Sequence, residues 1–160
     1  KASDRVETYG TVDELNSAIG VTIAEISNVK YPISNIKKEL EAIQHDLFTI
    51  GASLANPQSK PLPYLSRRVT EFEKMIDSLT KELPELRVFI LPGGAKAGSF
   101  LHLARTICRR SERRLVELAQ DTDIDDGIIK YINRLSDLLF TMARYINFKE
   151  KQTEISWKKK

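Results

Sequence analysis

The chain has 160 residues, 41% hydrophobic and 29% charged, which suits one globular domain with a sizeable core. Its net charge of +3, at a pI of about 9.0, is too mild to imply nucleic acid by itself. The single cysteine, Cys108, excludes an internal disulfide framework and fits a reducing compartment, and no apolar run approaches the ~20 residues of a membrane span, so the expected location is the cytoplasm.

A first helix is predicted from about Thr11, where Thr11-Val12-Asp13-Glu14 reads as a capping box, with Val12, Leu15, Ile19, Ile23 and Ile26 as its buried face. Tyr31-Pro32 separates it from a second helix, in which Ile36, Leu40, Ile43, Leu47, Ile50 and Leu54 alternate steps of four and three. Residues 56–63 hold three prolines and break the pattern. A third helix repeats the alternation through Leu65, Val69, Phe72, Ile76, Leu79 and Leu83. Residues 84–94 break again and contain a short extended run, 87–91. A fourth helix is predicted over about 95–120, with Phe100, Ala104, Ile107, Ser111, Leu115 and Leu118 on one side. After residues 121–127 a fifth carries Ile128, Ile132, Leu135, Leu139, Met142 and Ile146. Three such seams argue for long amphipathic helices packed at shallow angles. The expected fold is an all-α five-helix bundle forming a single domain over 1–160, with no internal repeat and no low-complexity linker.

The fourth helix carries RTICRRSERR, five arginines within the ten residues 105–114. Like charges at helical neighbour spacing repel by a few tenths of a kcal/mol per pair, so the cluster asks for an explanation. His102, Arg105, Arg109, Glu112 and Arg113 share one broad face beside the apolar one, and Arg110 and Arg114 lie further around. One reading is a solvated face with Glu112 and Glu117 as local partners. The other is a site for an external anion, because the stripe uses only arginine, whose planar fork suits carboxylate and phosphate, and holds a single glutamate.

The glycine-rich approach, Leu91-Pro92-Gly93-Gly94-Ala95-Lys96-Ala97-Gly98-Ser99, either offers backbone N–H groups to an anion or simply turns the chain, and it lacks the phosphate-loop spacing. His45 and His102 lack the Glu-x-x-His pairing of a di-iron bundle, cysteine–histidine zinc spacing is absent, and Cys108 sits among apolar neighbours as a core thiol.

Three stretches together resemble one family: residues 5–17, RVETYGTVDELNS; FILPGG at 89–94 with ARTICRRSERR at 104–114; and YINRLSDLLF at 131–140. IQHDLF at 43–48 adds a weaker match. The chain is similar, over residues 1 to about 148, to the PduO-type ATP:cob(I)alamin adenosyltransferases. The resemblance implies homotrimers of five-helix bundles with active sites between subunits. It implies transfer of the 5′-deoxyadenosyl group of ATP, carried with Mg, to the cobalt of reduced cobalamin, giving adenosylcobalamin and triphosphate, with no metal held directly by protein side chains. It further implies that Lys1, Arg109, Arg110, Ser111, Glu112, Arg113 and Asn133 contact ATP, with Arg109 near the phosphates. Arg105 would pair with Asp13 of a neighbouring subunit, and Phe89 would press on the lower face of the corrin and displace its lower ligand. A corrinoid reductase and an adenosylcobalamin-dependent acceptor enzyme are the implied partners, with neither nucleic acid nor membrane among them.

The chemistry suits those roles. Co(I) is already a strong nucleophile, so the protein has to align cobalt with C5′ and stabilise the leaving triphosphate. Each role has a plainer counterpart at this point. Phe89 reads equally as a core aromatic, Asp13 as a first-turn carboxylate favoured by the helix dipole, and Asn133 with Asp137 as a solvated helix pair. Family members carry a threonine- and glycine-rich phosphate-binding loop ahead of the position of Lys1, and this sequence, which opens on Lys1 rather than Met, holds none of it; ATP binding is expected to be impaired without that loop. The alternatives are a non-catalytic ATP-binding regulatory bundle, which needs no corrinoid, an interaction protein whose arginines meet an acidic partner, and a helical nucleic-acid binder, which predicts steep salt dependence.

Overall fold

The computed structural model describes residues 2–27, 29 and 33–159, with side chains from Asp4 onward; Lys1 and the Tyr31-Pro32 break lie outside the described residues. Five helices follow in order: α1 (Ala2–Ile26), α2 (Ser34–Ala55), α3 (Tyr64–Thr80), α4 (Lys96–Ala119) and α5 (Asp126–Lys149). No strand occurs among the described residues, and the extended run at 87–91 makes only an isolated antiparallel bridge, Ile90 to Ser156. No helix among them is long and apolar enough to cross a membrane.

The helices pack in the order α2–α1–α4–α5–α3. Alternating steps of four and three bring Ile36, Leu40, Ile43, Leu47, Ile50 and Leu54 of α2 into one core with Leu65 and Phe72 of α3 and Ile132, Leu135 and Leu139 of α5. Side chains close the bundle on its other side. Arg68 of α3 donates to Asp46 at 2.7 Å and Glu39 at 2.6 Å on α2, and the Tyr131 hydroxyl of α5 donates to Asp46 at 2.8 Å. Burial alone would lower the Arg68 pKa, but the hydrogen bonds to Asp46, Glu71 and Glu39 outweigh it and hold the guanidinium charged.

The start of α1 corrects the sequence expectation. Thr11 lies inside the helix, and its hydroxyl donates back to the Thr8 carbonyl at 2.8 Å instead of capping an N-terminus. Threonines occupy core positions here: Thr8, Val12, Leu15, Ile19, Thr22 and Ile26 continue the four-three alternation, and all are buried.

The start of α5 is capped by Asp125, which accepts from the Gly127 N–H at 2.8 Å through one oxygen and from the Leu62 N–H at 2.7 Å through the other. That pair fixes the loop between α2 and α3 against the entry to α5, the helix that forms one wall of the candidate site.

Candidate active site

Helix α4 lies between α1 and α5, so its buried arc is broad and includes Ala97, Leu101, Ala104, Cys108, Ser111 and Leu115. The five arginines divide on the remaining arc. Arg110 pairs with Glu14 of α1, and Arg114 pairs with Glu117 at 3.0 Å and Glu7 at 3.8 Å. Arg105, Arg109 and Arg113 make no ion pair among the described residues. They recur every fourth residue, a row about 12 Å long at 1.5 Å per residue, and Arg113 leans back to donate to the Arg109 carbonyl at 3.1 Å. Burial, and then the neighbouring Arg109 charge, hold the Arg105 pKa below its ordinary value. An anion laid along the row would relieve the second effect.

The facing wall is built by α5. Arg105, Arg109, Ser136, Asp137, Phe140 and Thr141 line an open concavity of about 220 Å³. The Arg105 guanidinium lies 6.0 Å from the centre of the Phe140 ring, and its buried Nε has no hydrogen-bond partner among the described residues. The Asn133 amide donates to Glu112 at 2.7 Å, and Asp137 accepts from Arg134 at 3.0 Å. The spacing of 133, 137, 140 and 141 places this wall on one face of α5.

His102 is buried at 3% exposure, so it belongs to the α4–α5 seam and not to the polar face on which the sequence placed it. Its ring meets Phe140 edge-on at 6.0 Å, and neither ring nitrogen has a hydrogen-bond partner among the described residues. Burial first, and then the Arg105 charge, lower its pKa below 6.5, so the imidazole is neutral.

Other expected site residues are placed apart. Ser111 is fully buried, its hydroxyl donating to the Thr11 carbonyl at 2.9 Å and the Ile107 carbonyl at 3.2 Å. Position 111 continues the stripe of Ala104, Cys108 and Leu115, so its side chain lies on the buried side of α4. Asp13 is exposed on α1 and forms no ion pair with Arg105 of the same chain. Phe89, at 80% exposure, is not a core aromatic. Lys1 lies outside the described residues. Cys108 donates its thiol to the Ile132 carbonyl at 3.2 Å, and burial pushes its pKa well above the ordinary thiol range, so it supplies no nucleophile. Among the described residues no group of three or more His, Cys, Asp or Glu side chains could hold a metal ion. Sequence reasoning gave no role to Phe140 and Thr141; extending the Asn133–Asp137 stripe by one more turn would have found them.

The fold and the site define an all-α bundle whose arginine row, without an ion pair among the described residues, stands beside a polar and aromatic wall of α5, a chemistry suited to an extended anion. Comparison with known proteins then assigns the family. Residues 1–146 match the cobalamin adenosyltransferase family, and the chain belongs to it. It is 47% identical over 148 residues to a corrinoid adenosyltransferase of Bacillus subtilis, covering 92% of this chain and 76% of that protein. It is 41% identical over 155 residues to a human corrinoid adenosyltransferase, covering 92% of this chain and 61% of the human one. A solved structure of a variant PduO-type ATP:corrinoid adenosyltransferase from Lactobacillus reuteri, complexed with cobalamin and ATP, superposes with a TM-score of 0.89 at 38% identity, covering 98% of this chain and 87% of that one. A second variant from the same organism, complexed with ATP, gives 0.88 at 39% identity, covering 97% and 87%.

Proposed function

We propose that this chain transfers the 5′-deoxyadenosyl group of ATP to the cobalt of a reduced corrinoid, giving an adenosylcorrinoid and triphosphate. The observation that carries the reading is the row Arg105, Arg109, Arg113, which makes no ion pair among the described residues and stands on a rigid helix beside Asn133 and Phe140. The names of the relatives, and the cobalamin and ATP bound to the Lactobacillus protein, support it.

The cobalt(I) lone pair attacks C5′ of ATP. A Co–C5′ bond forms, the C5′–O5′ bond breaks, and the electron pair leaves on the triphosphate, which Mg accompanies. The nucleophile arrives with the substrate, so the chain's tasks are alignment and stabilisation of the leaving charge. Arg109 and Arg113 hold the phosphates, with Asn133 and Glu112 fixing the nucleotide beside them. Arg110, engaged by Glu14, and the buried Ser111 are left out of this set. Phe89 presses on the lower face of the corrin and displaces the lower ligand, which makes Co(II) easier to reduce.

The functional unit is a homotrimer of this single domain, with Asp13 of a second copy meeting Arg105. Among the described residues of one chain that aspartate and that arginine make no ion pair, and the exposed Val21 of α1 and Leu103 of α4 supply apolar surface for such an interface. The reaction belongs in the cytoplasm, supplied by a corrinoid reductase and drawn on by an adenosylcobalamin-dependent enzyme.

The test is anaerobic. The protein is mixed with cob(I)alamin and ATP, and light-sensitive adenosylcobalamin and triphosphate are followed together. Stoichiometric formation of both is expected. ATP binding with no product would instead favour a regulatory bundle.

A further inference from the structure

The segment that carries Phe89 has no helix of its own, yet it is held at three points. The buried Arg144 of α5 donates to the Pro84 carbonyl at 3.0 Å, where the segment begins. The buried Asn147 donates to the Gly93 carbonyl at 2.8 Å and accepts from the Ala95 N–H at 2.9 Å, where it ends. Between them the contacts come from the far end of the chain.

After α5 the backbone reverses at Lys151, whose φ of 56° is the left-handed conformation that ends helices. The following residues then run back beside 89–91. The Leu91 N–H donates to the Ile155 carbonyl at 2.8 Å, and the Trp157 N–H donates to the Phe89 carbonyl at 2.7 Å. The Trp157 ring meets the Phe89 ring edge-on, with centroids 6.4 Å apart. Glu154 anchors this return to α5 through two hydrogen bonds from Arg144, at 2.8 and 3.1 Å. Arg144 therefore grips the start of the Phe89 segment and the tail that pairs with it.

We propose that residues 152–157 are a positioning element for Phe89, and that Trp157 is the positioning residue that sets the Phe89 ring. The inference rests on the assignment of Phe89 to the lower face of the corrin. An aromatic side chain at 80% exposure cannot hold one rotamer by core packing. One backbone hydrogen bond holds the Phe89 carbonyl and a second holds Leu91 two residues on, and the Trp157 edge limits the swing of the Phe89 ring. A ring held in this way can exclude a lower ligand without first being ordered by the corrinoid.

The experiment uses the full chain with Trp157→Ala and Trp157→Phe. Amide hydrogen exchange at Leu91 is measured without ligand. Cobalt ligation is read by electron paramagnetic resonance of added cob(II)alamin with ATP and Mg. In Trp157→Ala, Leu91 exchange rises and the fraction of cobalt lacking a lower ligand falls, each roughly three- to tenfold, the size expected of one edge-to-face ring pair. ATP affinity and exchange in α2 stay unchanged, and Trp157→Phe restores both readouts. Wild-type exchange, or wild-type cobalt ligation, in Trp157→Ala would overturn the proposal. Failure of the unmodified protein to release the lower ligand would count against the role of Phe89 itself, while Leu91 exchange would still decide whether the tail holds the segment.

Discussion

The side-chain amide of Asn133 donates to the Glu112 carboxylate at 2.7 Å, joining α5 to α4 beside the arginine row. The contact draws Glu112, the one carboxylate between Arg109 and Arg113 in sequence, toward α5, and among the described residues Glu112 makes no ion pair with either arginine. Asn133→Asp sets two carboxylates against each other at that contact. ATP affinity is expected to fall by about 10- to 100-fold, the scale of losing a charge-assisted hydrogen bond and adding a like charge. Isothermal titration checks it; unchanged affinity would remove Asn133 from the site.

Arg68 is the electrostatic counterpart away from the site. Its guanidinium joins Asp46, Glu39 and Glu71 and lies 5.0 Å from the centre of the Phe72 ring. Arg68→Met leaves Asp46, at 8% exposure, with tyrosine hydroxyls, Tyr131 and Tyr64, as neighbours in place of its paired cation. A loss of about 3–5 kcal/mol is expected in urea unfolding, as when one partner of a buried pair is removed. ATP affinity of the folded fraction should not change.

His102 makes stability depend on pH in a defined direction. Burial and the Arg105 charge hold its folded pKa below the ordinary 6.5. Between the two values the unfolded chain binds the extra proton, so acid favours unfolding. Stability is therefore full above about 6.5 and falls as pH drops through the window beneath it. Replacing the ring with a group that cannot titrate, as in His102→Met, should flatten the Tm profile between about pH 7 and 5. A profile as steep as that of the unmodified protein would assign the acid sensitivity elsewhere.

Gly98 is required for the close approach of α4 to α5. A Cβ there would collide with the side chain of Asn147, the residue that holds Gly93 and Ala95. Gly98→Ala should cost about 1–3 kcal/mol, typical of overpacking, and should raise hydrogen exchange at Ala95. A neutral thermal shift would mean that Asn147 can move aside freely.

The helices were legible where apolar residues alone mark the seam, as in α2 and α5. The start of α1 was not, because Thr8 and Thr22 take buried positions and a search for apolar residues passes over them. Thr11-Val12-Asp13-Glu14 has the composition of a capping box, and only the turns upstream show that it lies within a helix. The arginine cluster was visible at once, but its division was not. Glu14 and Glu7 come from α1, so the choice of Arg110 and Arg114 as neutralised and of Arg109 and Arg113 as unpaired is made by the fold. Ser111 shows that the periodicity was the better guide: it sits with the apolar residues whose spacing it shares.

The central claim is that the unpaired row on α4, and not arginine content as such, holds the triphosphate. The most direct measurement compares inorganic triphosphate binding to Arg109→Ala and Arg114→Ala, both confirmed as folded by circular dichroism. Arg109→Ala should weaken binding by about 1.5–3 kcal/mol, the scale of a hydrogen bond to a charged group. Arg114→Ala, whose guanidinium is engaged by Glu7 and Glu117, should bind as the unmodified protein does. Equal losses in the two variants, or none in Arg109→Ala, would contradict the account.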